Sequence, residues 1–332
     1  GHDRLPGCNE RFRTRGRLIV TRNTTLKGPH KGAIEITANN VRLDCDGHTV
    51  TGLGRQDQRL QSGIGISASA RRGVTITDCH VTDSFLGILV DEGSRKASVR
   101  HSSAIGNRTG IWAHGPRASV TANEASRNEE WGFAVTGRRS TYRDNVAIDN
   151  GGPRGAAGFA VHGGTDNTLR SNHARGNDPN FELSMANGNT LIGNTSEDAI
   201  NPRPRQSGSQ SFNLFRSRGN TFIRNTSATS GTGFHITESR GNTFTDNVVE
   251  GGGTGFLLQA SGKNSLTGNT ALNGGTGFHD ESFGGSGIAG SRNEYADNTC
   301  PGTATPSMPA GLCQPRVEPS PAAEEQPSAE SP

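Results

Sequence analysis

The sequence predicts an all-β solenoid of parallel strands, about eleven coils long with a period of about 22 residues. Three observations carry that prediction. Gly233, Gly255 and Gly277 lie 22 residues apart and open the runs GFHIT, GFLLQ and GFHDE. An Asn-x-[Phe/Leu]-x-x-Asn phrase recurs in step, as Asn242, Phe244 and Asn247 and then Asn264, Leu266 and Asn269. Between the Gly and Asn corners, the short runs alternate apolar and polar residues, the period-two pattern of a strand.

Composition fits this only through the repeat. The chain has 332 residues, of which 30% are hydrophobic and 5% aromatic. On those figures alone it leans towards disorder. A narrow solenoid needs few apolar residues per coil, because each coil buries them against the coils above and below. The net charge of +3 is small, and Lys and Arg are scattered along the sequence without a continuous basic stripe. This argues against a nucleic-acid binder. No apolar run is long enough to span a membrane.

Residues 1–17 are polar and Arg-rich and are expected to cap the first coil, whose open edge would otherwise be exposed. The β-helical part is expected over 18–300. Leu18-Ile19-Val20 and Thr24-Thr25-Leu26 begin it, followed by Ala33–Ile36 and Val41–Cys45 and then by Gly63–Ile66 and Val74–Cys79. Leu53 to Gln61 reads as a protruding polar loop. Coils continue from Gly87, Gly110, Gly132, Gly158 and Asn180, at spacings of 23, 22, 26 and 22 residues. The next coil, at Ser211, follows after 31 residues, so an insertion of about nine falls in Ala199–Gln210. Residues 301–313 are expected to cap the other end, and 314–332, rich in Pro, Glu, Ser and Ala, to form a disordered tail. Stacked at about 4.8 Å, the coils make a rod about 50 Å long.

Asn123, Asn145, Asn172, Asn194, Asn225, Asn247 and Asn269 fall in one corner register. Stacked there, their side chains are expected to hydrogen-bond from coil to coil. Cys45 and Cys79 occupy the same register in earlier coils, either as a disulfide or as stacked buried thiols. Cys300 with Cys313 is the better-supported bridge, and Cys8 has no assigned partner. No cysteine pair or Cys/His cluster has zinc spacing. Cysteines near both ends suit a secreted, extracytoplasmic protein. The start at Gly1-His2 carries no signal peptide, and the chain reads as the mature form of an exported protein or one trimmed at that point.

The phrase from Asn39 to Gly52, NNVRLDCDGHTVTG, followed by GIGIS and VTITDCHV, closely resembles the first coils of NosD-type right-handed parallel β-helix proteins. That group overlaps the carbohydrate-binding and sugar-hydrolase β-helix repeats. The resemblance covers roughly 18–300 and rests on core and corner positions. It implies a right-handed parallel β-helix and a glycan-facing groove on one outer sheet. Members include polysaccharide lyases, hydrolases, C5-epimerases and proteins described as periplasmic copper-binding, so fold alone does not choose among them.

The outward residues after each Gly-Phe start are therefore the candidate site. At the first outward position come Trp112, Ala134, Ala160, Glu182, Asn213, His235, Leu257 and His279; at the second come His114, Thr136, His162, Ser184, Phe215, Thr237, Gln259 and Glu281. Glu182, His162 and His235 are the candidate catalytic residues. Asn213, Arg203, Arg205, His114 and Trp112 are the candidate substrate contacts, with Arg203 and Arg205 on the 199–210 insertion. An imidazole or carboxylate base beside guanidinium groups suits abstraction of the C5 proton of a uronate. Glycosidic hydrolysis usually wants two carboxylates, and only Glu182 is evident. A divalent metal held by His162, Glu182 and His235 is the alternative use of the same residues. Polar residues are also what a water-facing sheet needs, so a non-catalytic surface or scaffold protein is the competing reading. His114-Gly115 and His162-Gly163 resemble an element of pectin-type hydrolases, but the paired aspartates of that family are missing. Asn177-Asp178-Pro179-Asn180 resembles the Asp-Pro-His phrase of mannuronan epimerases only faintly, lacks its His, and reads as a turn. Trp131, at a corner, suits either sugar stacking or plain packing. The expected partner is a polysaccharide or cell-surface glycan, met by a monomer.

Overall fold

Short alternating segments separated by tight corners cannot bury an apolar face alone, and here they do so by stacking. The computed structural model describes residues 14–55, 63–152, 156–199, 208–228, 231–282 and 291–315. Arg203, Arg205, Cys8 and nearly all of the 314–332 tail lie outside these. Among the described residues the chain winds into a right-handed parallel β-helix with no α-helix.

Three parallel sheets of 12, 13 and 12 strands form its faces. Sheet A runs from Thr14–Arg15 to Thr270–Leu272. Sheet B runs from Leu18–Val20 through Thr276–Asp280 to Thr305–Met308, and sheet C from Thr24–Thr25 to Glu294–Ala296. Strands thus begin before residue 18 and continue after residue 300, and the stack agrees with a solenoid of about eleven coils. Thr305–Met308, on sheet B, carries no Gly-Phe signature, and Thr14–Arg15 is a two-residue strand too short to show alternation.

Sheet B supplies the largest share of the core. Phe133, Phe159, Phe181, Phe212, Phe234, Phe256 and Phe278 stack ring on ring, with centroids 4.5 to 4.9 Å apart and planes within 3 to 8°. Phe222 and Phe244 on sheet C meet this column edge-on. A glycine precedes Phe133, Phe159, Phe234, Phe256 and Phe278, and there it is a packing requirement: a Cβ at Gly255 would stand 2.5 Å from the Gly277 carbonyl oxygen and 2.7 Å from Ala271 Cβ.

The corner between sheets C and A holds the expected asparagine ladder. Asn194 is representative. Its Nδ2 donates to the Leu169 carbonyl and to Asn225 Oδ1, both at 2.9 Å, while its Oδ1 accepts from the backbone N and Nδ2 of Asn172 at 3.0 and 2.9 Å. The residue before the ladder position turns the chain in the left-handed region, as at Asp144 (φ 55°) and Asp246 (φ 54°), where Asp is among the better-tolerated side chains. Two further asparagine ladders appear at the other corners. One runs through Asn107, Asn128, Asn150, Asn177 and Asn180, the other through Asn167, Asn189, Asn220, Asn242, Asn264 and Asn293.

Cys45 and Cys79 form a disulfide, which settles the two alternatives for that register, and Cys300 pairs with Cys313 as expected. Asp178-Pro179 is a cis peptide in a turn closed by Asn177 and Asn180.

His30, on a sheet A strand of the first coils, is 1% exposed. Burial holds its imidazole below the usual value of 6.5, against hydrogen bonding to the Ala33 and Gly16 backbone that acts the other way. The unfolded chain therefore binds a proton that the folded chain refuses. The stability His30 contributes is present above its unfolded pKa and is lost as pH falls from that value through the lower folded one. The melting temperature is expected to drop between about pH 7 and about pH 5, and the drop to shrink in His30→Gln.

Candidate functional site

Alternation along sheet B fixes which side chains reach its outer face. In Phe181–Ser184, Phe181 and Leu183 are buried while Glu182 and Ser184 are half-exposed. Parallel pairing sets Ala160, Glu182, Asn213, His235, Leu257 and His279 in one row, and His162, Ser184, Phe215, Thr237 and Gln259 in the next. These are the two rows that the repeat predicts.

Side-chain contacts divide the outer face into two assemblies. In the first, His162 Nε2 lies 3.0 Å from Glu182 Oε2 across neighbouring coils. Both side chains remain accessible, at 29% and 25% of their surface. The Trp131 ring meets the His162 ring edge-on, with centroids 4.9 Å apart, and meets Trp112 edge-on at 6.4 Å. Trp112 in turn donates from Nε1 to Thr136 Oγ1 at 2.8 Å and stacks on His114 at 6.2 Å. The outward alanines Ala134 and Ala160, between Trp112 and Glu182 in the row, are fully buried. Small residues there leave room for the Trp131 ring to lie on the sheet. The result is an aromatic platform ending in a His–Glu pair.

The second assembly is a hydrogen-bonded relay. Gln210 Nε2 donates to His235 Nδ1 at 2.8 Å, and His235 Nε2 donates to Gln259 Oε1 at 2.7 Å. Gln259 Nε2 then donates to Glu281 Oε2 at 2.8 Å, and Glu281 Oε1 is 3.3 Å from His279 Nε2. This wiring gives His235 its proton on Nε2 and occupies both ring nitrogens.

The structure therefore brings together His162 and Glu182, with Trp112 and His114 alongside, but does not add His235. His235 lies two strands from Glu182, about 10 Å along the stack, with Asn213 between them. Among the described residues no group of three His, Cys, Asp or Glu side chains could hold a metal ion, so His162, Glu182 and His235 do not converge as a ligand set. Sequence reasoning left Trp131 open between stacking and packing, and its place beside His162 follows from a side-chain direction that a corner position does not reveal. It missed the link from Gln210 to His235. The available signal was register, since Gln210 stands one coil before Thr232 on the same sheet.

Two family models match the chain: "Right handed beta helix region" over residues 32–196, and "Periplasmic copper-binding protein (NosD)" over 204–303. Among solved structures, the chain is similar to the periplasmic alginate epimerase AlgG, with a TM-score of 0.58 at 14% identity over 90% of this chain and 75% of that one. It is also similar to the A-module of the Azotobacter vinelandii mannuronan C-5 epimerase AlgE6, with a TM-score of 0.53 at 15% identity over 91% of this chain and 78% of that one. The catalytic domain of a GH87 α-1,3-glucanase in complex with tetrasaccharides gives a TM-score of 0.55 at 12% identity, over 88% of this chain and 55% of that one. At these identities the likeness establishes the fold. Among curated proteins, none matches the sequence.

Proposed function

Because the chain is a right-handed parallel β-helix repeat protein with an aromatic platform on its outer sheet, we propose that it engages a polysaccharide there and acts on an acidic one as a C5-epimerase or lyase. The observation that carries this reading is the accessible His162–Glu182 pair at 3.0 Å beside Trp131. Donating Nε2–H to Glu182 fixes the imidazole tautomer with a lone pair on Nδ1. That nitrogen accepts no hydrogen bond among the described residues. The carboxylate also stabilises the imidazolium that forms when Nδ1 takes a proton. A uronate suits such a base, since its C5 proton is acidified by the neighbouring carboxyl group. Trp131 and Trp112 offer flat apolar surface to sugar rings. Arg203 and Arg205, on the insertion outside the described residues, are proposed to neutralise the uronate carboxylate. The epimerases and glucanase with the same fold act on polysaccharides by their own descriptions, which supports the substrate class. The two disulfides support an extracytoplasmic location.

The test is to incubate the purified protein with alginate, pectate and glycosaminoglycans. Ultraviolet absorbance reads unsaturated ends, and NMR reads inversion at C5. Turnover that disappears in Glu182→Ala supports the proposal. No turnover on any uronan, with glycan binding unchanged in Glu182→Ala, overturns the enzymatic reading. A non-catalytic glycan-binding surface is the second reading, favoured by the closed hydrogen-bonding of His235. The separation of His235 from the His162–Glu182 pair weakens a metal-binding role for this face.

A further inference from the structure

Cations that lie far apart in the sequence meet at the corner between sheets B and C. Arg72, Arg95, Lys96, Arg117, Arg138 and Arg139 line one hollow of about 410 Å³ together with Pro116. A neighbouring hollow of about 320 Å³ shares Arg95, Pro116 and Arg138 and reaches His114, Thr136 and Gly163. The second hollow thus ends one residue from His162, on the side of the outer sheet.

The helical winding makes this row. Arg72 and Arg95 are bridge partners on successive coils, the Lys96 amide donates to the Pro116 carbonyl at 3.1 Å, and the Arg117 amide donates to the Arg138 carbonyl at 2.9 Å. Scattered cations at roughly coil-length intervals become neighbours at the coil rise, about 4.8 Å. All six are exposed. Arg139 approaches Asp166 at 3.8 Å, whereas Arg72, Arg95, Lys96, Arg117 and Arg138 have no ion pair among the described residues. Like charges held this close repel one another, and a bound polyanion relieves that repulsion.

The ligand must carry negative charge at a similar repeat. In an extended glycan one pyranose ring spans about one coil rise, so one carboxylate or sulfate per ring would meet about one coil's cations in turn. Single-stranded nucleic acid fits less well, because the lining of the cationic hollow has no aromatic side chain on which bases could stack.

We infer that this groove is an anion-reading subsite for a linear polysaccharide bearing a carboxylate or sulfate on each sugar. The inference rests on the reading that the chain engages a glycan, and it adds where the charges of that glycan are held. Its test reads binding, so it stands or falls apart from turnover at His162 and Glu182.

Affinity electrophoresis and calorimetry are run with alginate, heparin, neutral dextran and poly(dT). The proteins are the wild type, the double variant Arg95→Gln/Arg138→Gln, and the control Arg170→Gln/Arg175→Gln, which removes the same charge from sheets C and A. The expected result is binding to alginate or heparin, none to dextran, and a loss of about tenfold in the groove variant only. The groove variant should also show a flatter salt dependence. Alginate, which bears carboxylates alone, against heparin, which bears sulfates as well, reads whether sulfate adds to the binding that carboxylate supplies. Equal melting temperatures confirm that exposed substitutions leave the fold intact. Equal affinity in the groove variant overturns the inference. So does dextran binding of similar strength, binding of poly(dT) alone, or no binding of any polyanion.

Discussion

Replacing His162 with alanine is expected to lower turnover of an acidic polysaccharide by about 10²–10⁴-fold, the usual weight of a positioned general base. The loss should fall on kcat, with KM little changed, because the Trp131 and Trp112 surfaces that would hold the sugars remain. Glu182→Gln keeps the shape of the pair and removes its charge. It is expected to reduce kcat as well, by the same order or less. His235→Ala provides the contrast. Both of its ring nitrogens are occupied, by Gln210 and Gln259, so the substitution should disturb stability or KM and spare kcat. Steady-state kinetics on the responsive uronan, beside thermal melts of each variant, separate these outcomes. Equal kcat in His162→Ala and wild type would remove His162 from the chemistry.

Asn194→Ala is expected to destabilise the protein by about 3–5 kcal/mol, which is large for one exchange of polar for apolar. The lost side chain supplies two donated and two accepted hydrogen bonds in a wholly buried corner. Alanine leaves the Leu169 carbonyl and the Asn172 amides without those partners, and an unsatisfied buried group costs about 1–3 kcal/mol. Partial relaxation of the corner keeps the sum below the simple total. Urea denaturation followed by circular dichroism measures the change. A matched substitution at a half-buried, outward-facing residue of the same coil, Thr190→Ala on sheet C, should cost far less. A cost below about 1 kcal/mol for Asn194→Ala would mean that the ladder is decorative.

The fold was legible because its determinants repeat. From Gly132 onward most coils repeat a glycine with no room for a Cβ, a phenylalanine after it and an asparagine at the corner, and each packs against its counterpart one coil away. Once Gly233, Gly255 and Gly277 set the register, the starts at Gly110, Gly158 and Ser211 followed. So did both outward rows of sheet B. The site was legible only as far as register reaches. His162 and Glu182 could be placed on adjacent coils, but whether they touch depends on rotamers, and His235 turned instead to Gln259. Trp131 lies outside the alternating run, so nothing in the period aims its ring at His162. The arginine row was hidden for the opposite reason. Arg72, Arg95, Arg117 and Arg138 are too far apart in sequence to look like a basic stripe, and only the winding gathers them.

The two disulfides bear on how such a chain comes apart. A stack in which each coil touches only its neighbours loses coils most easily from its ends, as a zipper opens from its last tooth. Cys45–Cys79 joins two early coils at the position that asparagine holds farther along. At the other end, Cys300–Cys313 closes the loop whose Leu312 carbonyl accepts a bond from Asn298, the last asparagine of that ladder. Each end is riveted close to its last tooth, with the first coil, from Thr14 to Thr25, outside the Cys45–Cys79 link. Fraying at either end must then stop at a covalent link, which confines a protease to the chain outside it while the link is intact. Reducing agent should therefore hasten digestion from the ends well before it changes the bulk spectrum of the folded protein.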